Sequence, residues 1–329
     1  MPVNAPSFSL ISVVLPAFNE GEALQRVIPA VVDALKSETI EIIVVDDGST
    51  DGTRNAIMFL KSRWPMLRYV RFSRNFGKEA ALSAGLRVAR GDAVILMDSD
   101  GQHPPAMLQT FLEKWREGYE VVCGVQASRT DSPLKKLAKR LYYRLMETGS
   151  SIVIPPDAGD FRLLSRNVVD AINAMPERKR FMKGLYAWVG FRTAMIPFAA
   201  APRVAGSSKF GWIQLFKLGL TGVTAFTIAP LRIVSILGFI ISASSFLFGI
   251  YLLAEFFLIG NQMPGWATLA VGMTFFSGLQ LLALGFIAEY IAGMYEELKA
   301  RPLYIIAEDT ATPAASVSLV PSEPAVLGR

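Results

Sequence analysis

An α/β fold is predicted for this 329-residue sequence: a mostly parallel sheet covered on both faces, followed by a C-terminal part that enters a membrane. Three observations predict it. Short apolar runs alternate with amphipathic stretches through about the first two hundred residues, a rhythm that builds parallel sheets. Polar and acidic clusters follow several of those runs, where parallel sheets bind ligands. Two later runs, Ile233–Ala254 and Trp266–Ala288, hold 22 and 23 residues without a single charge.

The elements follow in order. Leu10–Ala17 reads as a buried strand, Glu22–Lys36 as a helix, and Glu41–Asp46 as a second strand rich in Ile and Val. A helix over about Thr53–Ser62, a strand at Leu67–Phe72 and a helix at Glu79–Ala89 come next. Ala93–Met97 is a fourth strand that ends in Asp98-Ser99-Asp100. Asn19-Glu20, Asp46-Asp47 and Asp98–Gln102 thus stand at the ends of strands one, two and four.

At about 1.5 Å per residue each uncharged run is roughly 33–35 Å long, enough for a hydrocarbon core of about 30 Å. The loop between them, Gly260–Gly265, is short and uncharged, whereas Lys217, Arg232, Lys299 and Arg301 flank the pair. Basic flanks face the cytoplasm. No secretory signal precedes them: the first basic residue is Arg26, and the run Leu10–Leu15 is broken by Pro16. The expected organisation is a cytoplasmic domain over 1–205 and an amphipathic interfacial segment over 206–230. Two membrane helices (about 231–258 and 266–290, within 231–292) and a cytoplasmic tail over 293–329 complete it. The tail is rich in Ala, Pro, Ser and Thr, and disorder is expected after about 306.

Composition narrows the chemistry. Apolar residues make up 52% of the chain and charged residues 19%, which favours a membrane portion. A single cysteine, Cys123, excludes an internal disulfide and a multi-cysteine zinc site. The single histidine, His103, makes a Ser-His-Asp hydrolase hard to build. The net charge of +5 suits anionic lipid or phosphorylated substrates as well as nucleic acid, and no nucleic-acid motif is present.

Asp98, Asp100 and Gln102 form the sharpest local signal. Two carboxylates and an amide oxygen on one turn can hold a hard cation, Mg²⁺ or Mn²⁺, and leave positions open for a diphosphate. A solvated acidic turn is the plain alternative. Asp46 or Asp47 could accept from a base edge or a ribose, while Ser49 or Asp51 could cap the next helix. His103 is expected to orient the Asp98–Gln102 turn. Cations are dense at Arg129–Arg144, Arg178–Lys183 and Arg203–Lys209. Beside the membrane runs they suit a lipid-borne phosphate.

The runs Ser12–Glu20 (SVVLPAFNE), Val44–Thr53 (VVDDGSTDGT), Arg74–Leu86 (RNFGKEAALSAGL) and Met97–Pro105 (MDSDGQHPP) resemble family 2 of the glycosyltransferases, which have the GT-A fold. Gly159–Arg166 (GDFRLLSR), Pro176–Phe191 (PERKRFMKGLYAWVGF), Arg203–Phe210 (RVAGSSKF) and Glu289–Tyr304 (EYIAGMYEELKARPLY) are similar to the polyisoprenyl-phosphate hexose synthases. Within that group, which includes dolichol-phosphate mannose synthase, the bactoprenol glucosyltransferase branch looks nearest.

The resemblance implies that Pro16, Asn19, Glu20 and Asp46 hold a nucleotide sugar, with Asp47, Lys78 and Asp98 beside them. It gives Asp98, Asp100 and Gln102 to metal and diphosphate, and Asp100 and Asp160 to catalysis. Arg129, Arg144, Arg203, Ser208 and Lys209 would contact phosphates of donor or acceptor. Gly101 stands where Leu is common and Ser207 where Glu is common, so the donor stays open: UDP-glucose first, then GDP-mannose, UDP-galactose and other UDP-sugars. Further implications are Mg²⁺ or Mn²⁺ as cofactor, polyprenyl phosphate as acceptor, an inner-membrane location and a homo-oligomer, a tetramer among relatives. A processive polysaccharide synthase would carry QxxRW, but Arg63-Trp64 comes too early and lacks the glutamine. A silent nucleotide-sugar-binding scaffold would not need the intact Asp98, Asp100 and Gln102 set.

Overall fold

The structure is a computed structural model, and it describes residues 9–126, 158–178, 180–199 and 265–311, with scattered positions between 234 and 258. Among the described residues eight strands form one sheet: β1 Leu10–Ala17, β2 Thr39–Asp46, β3 Leu67–Phe72, β4 Ala93–Leu96, β5 Val121–Gln126, β6 Ala158–Ser165, β7 Thr193–Phe198 and β8 Ile306–Asp309. Their order across the sheet is β7-β5-β6-β4-β1-β2-β3-β8. Pairing is parallel for β1 with β2 and β4, for β2 with β3 and for β5 with β7. It is antiparallel where β6 enters between β4 and β5, and where β8 closes the β3 edge.

The helices among the described residues include α1 Gly21–Ala34, α2 Thr53–Arg63, α3 Lys78–Val88, α4 Met107–Arg116, α5 Arg166–Ala174, α6 Met182–Trp188 and α7 Trp266–Leu298. Strands β1, β2 and β4 are continuous apolar runs because both faces are covered. Ile11, Val13, Leu15, Ile42 and Val44 pack in one cluster with Leu24 and Ile28 of α1. Val14, Ile43 and Val45 face the opposite layer with Ala81 and Leu82 of α3. Cys123 is buried in β5.

One expectation is corrected. Disorder does not begin at about 306, since Ile306–Asp309 is a strand on the edge of β3. Its four residues carry no periodic strand pattern; the free edge supplies the order. Arg54 grips both carboxylate oxygens of Glu308 at 2.8 Å. Arg68 grips Asp309 at 2.7 and 3.0 Å. Tyr304 stacks on Phe72 with ring centroids 4.9 Å apart. Of the two expected membrane helices, one long apolar candidate is found among the described residues, Phe275–Leu298 within α7. Helix α7 itself begins at Trp266 and contains the expected 266–290, and its Met273, Phe275, Leu281 and Leu298 side chains stand on the surface. The described positions between 234 and 258 are helical. The expected interfacial segment 206–230 lies outside the described residues.

Only 16% and 12% of the Arg68 and Asp309 side chains are exposed. Burial alone would raise the Asp309 pKa, but the Arg68 guanidinium and the Ala311 N–H outweigh it and hold the carboxyl below its ordinary value. A depressed carboxylate stabilises the fold above its unfolded pKa and loses that effect as pH falls through the folded one. Replacing Asp309 with Asn should therefore lower stability at pH 7 by about 2 kcal/mol, between the exposed-pair and buried-pair limits. Thermal unfolding of the two proteins should converge below about pH 4.

Candidate active site

The loops after β1, β2 and β4 meet at the carboxyl edge of the parallel strands, and each is laced to the next. Asn19 adopts φ +56°, a left-handed conformation that Asn tolerates. Its N–H donates to Ser49 Oγ at 2.9 Å, and its Oδ1 accepts from the Thr50 N–H at 2.9 Å. The Glu20 N–H donates to Thr53 Oγ1. The Ser99 hydroxyl reaches the Pro16 carbonyl at 2.9 Å and ties the β4 turn to the end of β1.

The paired aspartates after β2 point inward. Asp46 is fully buried; its Oδ1 accepts from the Ser49 N–H at 2.8 Å and its Oδ2 from the Tyr69 hydroxyl at 2.5 Å. In this geometry Asp46 braces the loop from below. Asp47 spans two backbone amides, Phe76 N–H at 2.6 Å and Gly77 N–H at 2.9 Å. Burial pushes its carboxyl pKa up, against the pull of those two amides. Of the two capping candidates, Asp51 accepts from the Thr53 N–H at the start of α2.

The clamp from Asp47 fixes the entry to α3. Gly77 takes φ +98°, which suits glycine, and the next residue, Lys78, reaches across to two carboxylates. Its Nζ lies 2.6 Å from Asp98 Oδ1 and 2.8 Å from Asp160 Oδ2. Burial would lower the ammonium pKa, but Asp160 and then Asp98 overcome it and hold it above its ordinary value. Burial likewise works to raise the Asp160 pKa; Lys78, Lys183 and Arg162 reverse that and keep this carboxylate ionised. Asp160 Oδ1 is buried and has no hydrogen-bond partner among the described residues.

On the β4 turn the Asp98 N–H donates to His103 Nδ1 at 3.0 Å, and the imidazole stacks on Phe161 at 4.5 Å. His103 thus orients the turn, as its position suggested. Asp100 Oδ1 accepts from the Gln102 N–H. Among the described residues no three His, Cys, Asp or Glu side chains converge, so a cation would rest on Asp98, Asp100 and the Gln102 amide oxygen. That donor set fits a hard divalent ion: all oxygen, doubly anionic and partly exposed. The Asp98 carboxylate already faces a cation in Lys78. Arg129, Arg144, Arg203, Ser208 and Lys209 lie outside the described residues.

Residues 12–172 match Glycosyl transferase family 2. An uncharacterized glycosyltransferase of Synechocystis is 40% identical over 91% of this chain and 95% of its own length. A prophage bactoprenol glucosyl transferase homolog of Escherichia coli is 40% identical over 90% and 98%. A prophage-derived bactoprenol glucosyl transferase of Shigella flexneri is 41% identical over 90% and 97%. The chain belongs to glycosyl transferase family 2. It is a glycosyltransferase, and along its length it is similar to the bactoprenol glucosyl transferases.

Two groups of this family 2 site, Glu79 and Arg162, escaped the sequence reading, and a third, Lys183, was read there only as one of a dense run of cations. Glu79, next to Lys78, accepts from the Met182 N–H at 2.9 Å and joins α3 to α6. Arg162 shares a strand face with Asp160, two residues away, and stacks its guanidinium 3.8 Å over the Tyr186 ring. Lys183 adds positive charge beside Asp160. Strand alternation could have flagged Arg162; nothing local marks Glu79.

Burial, then the Asp160 charge, pushes the Glu79 carboxyl up to about 7. A raised acid is destabilising once ionised, so its effect sets in above the unfolded value of 4.5 and is complete above 7. Glu79→Gln should raise stability at pH 8 by on the order of 1–3 kcal/mol and give no gain near pH 4, as thermal unfolding in detergent at both pH values would show.

Proposed function

We propose that this glycosyltransferase transfers one hexose from a nucleotide sugar, UDP-glucose first among donors, to polyprenyl phosphate at the cytoplasmic face of a membrane, with inversion at the anomeric carbon. The observation that carries the reading is a single acidic centre, Asp98 and Asp160 bridged by Lys78, in a chain that also bears a long apolar helix on its surface. The relatives named bactoprenol glucosyl transferase support a lipid acceptor.

A phosphate monoester with a second pKa of about 6 is already anionic at neutral pH, so it attacks without a strong base. Asp160, kept ionised by Lys78, is suited instead to orienting the acceptor or stabilising positive charge on the sugar. A Mg²⁺ or Mn²⁺ ion held by Asp98, Asp100 and Gln102 would supply Lewis-acid stabilisation of the departing nucleoside diphosphate. Pro16, Asn19, Glu20 and Asp47 set the shape of the donor cleft, with backbone groups of the laced loops as its donors and acceptors. Arg129, Arg144, Arg203, Ser208 and Lys209 are assigned to the donor and acceptor phosphates. The α7 helix and the run Ile233–Ala254 are assigned to the bilayer, with the catalytic domain cytoplasmic in an inner membrane and the assembly homo-oligomeric.

Purified protein in detergent, given undecaprenyl phosphate and a panel of radiolabelled nucleotide sugars, should form a lipid bearing one hexose, fastest with UDP-glucose. A polymeric product would favour a polysaccharide synthase, and no turnover with any donor would leave a binding scaffold.

A further inference from the structure

We infer that Lys78 is the built-in counter-ion of the acidic centre, a positioning residue that a divalent cation must outcompete at Asp98 while it keeps hold of Asp160. The inference rests on the reading of Asp98, Asp100 and Gln102 as a cation site.

Strands β4 and β6 are antiparallel neighbours with Leu96 opposite Arg162. Continued two residues past the end of β4, this register sets Asp98 opposite Asp160. Like charges in that relation repel, and the Asp160 carboxylate is largely withdrawn from water, with 11% of its side chain exposed. One ammonium relieves both, at 2.6 Å from the first and 2.8 Å from the second. Its place is not left to a flexible stem. Asp47 holds the two preceding amides, Phe76 and Gly77, so Lys78 enters α3 from a fixed corner.

Two consequences follow from the charges. A divalent ion arriving at Asp98 meets an ammonium already on that carboxylate, so Lys78 weakens cation binding in the absence of nucleotide. Once the ion is seated, the ammonium stays with Asp160 and keeps that carboxylate aimed at the reaction centre. Lys78 therefore lowers affinity for the ion yet raises turnover, a combination that a residue with only a structural role does not produce.

The test measures Mn²⁺ affinity of the full chain in detergent by electron paramagnetic resonance, without nucleotide, alongside transfer at saturating Mn²⁺. Lys78→Met should bind Mn²⁺ roughly tenfold more tightly than wild type, the effect of removing one nearby cation. It should also transfer hexose at least about tenfold more slowly, as expected when a buried carboxylate loses its partner. Lys78→Arg, which keeps the charge, should return both values toward wild type. Where Lys78→Met fails to fold, the double variant Lys78→Met/Asp160→Asn removes the stranded carboxylate, and its Mn²⁺ affinity is compared with that of Asp160→Asn. Wild type that binds Mn²⁺ no more weakly than Lys78→Met overturns this inference alone. Wild type that binds no Mn²⁺ at all overturns the cation site, and this inference with it.

Discussion

Replacing Asp100 with Asn should lower hexose transfer by at least about a hundredfold, the scale seen when charge stabilisation of a leaving group is lost. The substitution keeps the shape of the side chain and removes one negative charge. Because an amide oxygen can still accept from the Gln102 N–H, the turn should persist. The neighbouring ties, Ser99 to the Pro16 carbonyl and the Asp98 N–H to His103, do not involve Asp100. Melting temperature should therefore match wild type while Mn²⁺ affinity and turnover fall together. Stripping wild type with a chelator should reproduce the loss, and added Mn²⁺ should restore it in wild type only. Full transfer by Asp100→Asn would remove the cation from the mechanism.

The second large effect is structural in origin. Gly48 has φ +72°, and a Cβ built there would sit 2.5 Å from the Arg74 carbonyl carbon and 2.9 Å from its Cα. Both atoms are backbone, so no side chain can rotate away. Gly48→Ala should destabilise the fold by about 2–4 kcal/mol, combining left-handed strain with overpacking. Gly48 also follows Asp47, whose carboxylate sets the approach to Lys78. Turnover should consequently fall in the fraction that remains folded. Gly52→Ala is the control: φ is −74° and none of the described residues comes within 4 Å of the place its methyl group would take, so unfolding and transfer should both stay near wild type. Equal melting temperatures for the two variants would contradict the strain assigned to Gly48.

What the sequence made legible follows from the kind of strand it encodes. Buried parallel strands such as Leu10–Ala17 and Ala93–Leu96 are continuous apolar runs, so their ends, and the polar residues just beyond, could be read directly. Asp98, Asp100 and Asn19 were found on that basis. The direction of a side chain at a strand end was not readable. Asp46 occupies such an end, but its partners Tyr69 and Arg71 come from β3, more than twenty residues away. The bridge from Lys78 to Asp160 joins residues 82 apart, and only the insertion of β6 beside β4 brings them together. Strand β8 was hidden for a related reason: Ile-Ala-Glu-Asp has no strand signature of its own, and its order comes from the edge it covers.

That last strand has a geometric corollary. Between the end of α7 at Leu298 and the start of β8 at Ile306 there are only the residues 299–305. Fully stretched, such a leash reaches roughly 25 Å. The outer margin of the sheet is thus kept within about one helix-bundle width of the point where α7 ends, and lengthening this stretch with flexible residues would loosen that tether without altering a single residue of the candidate site.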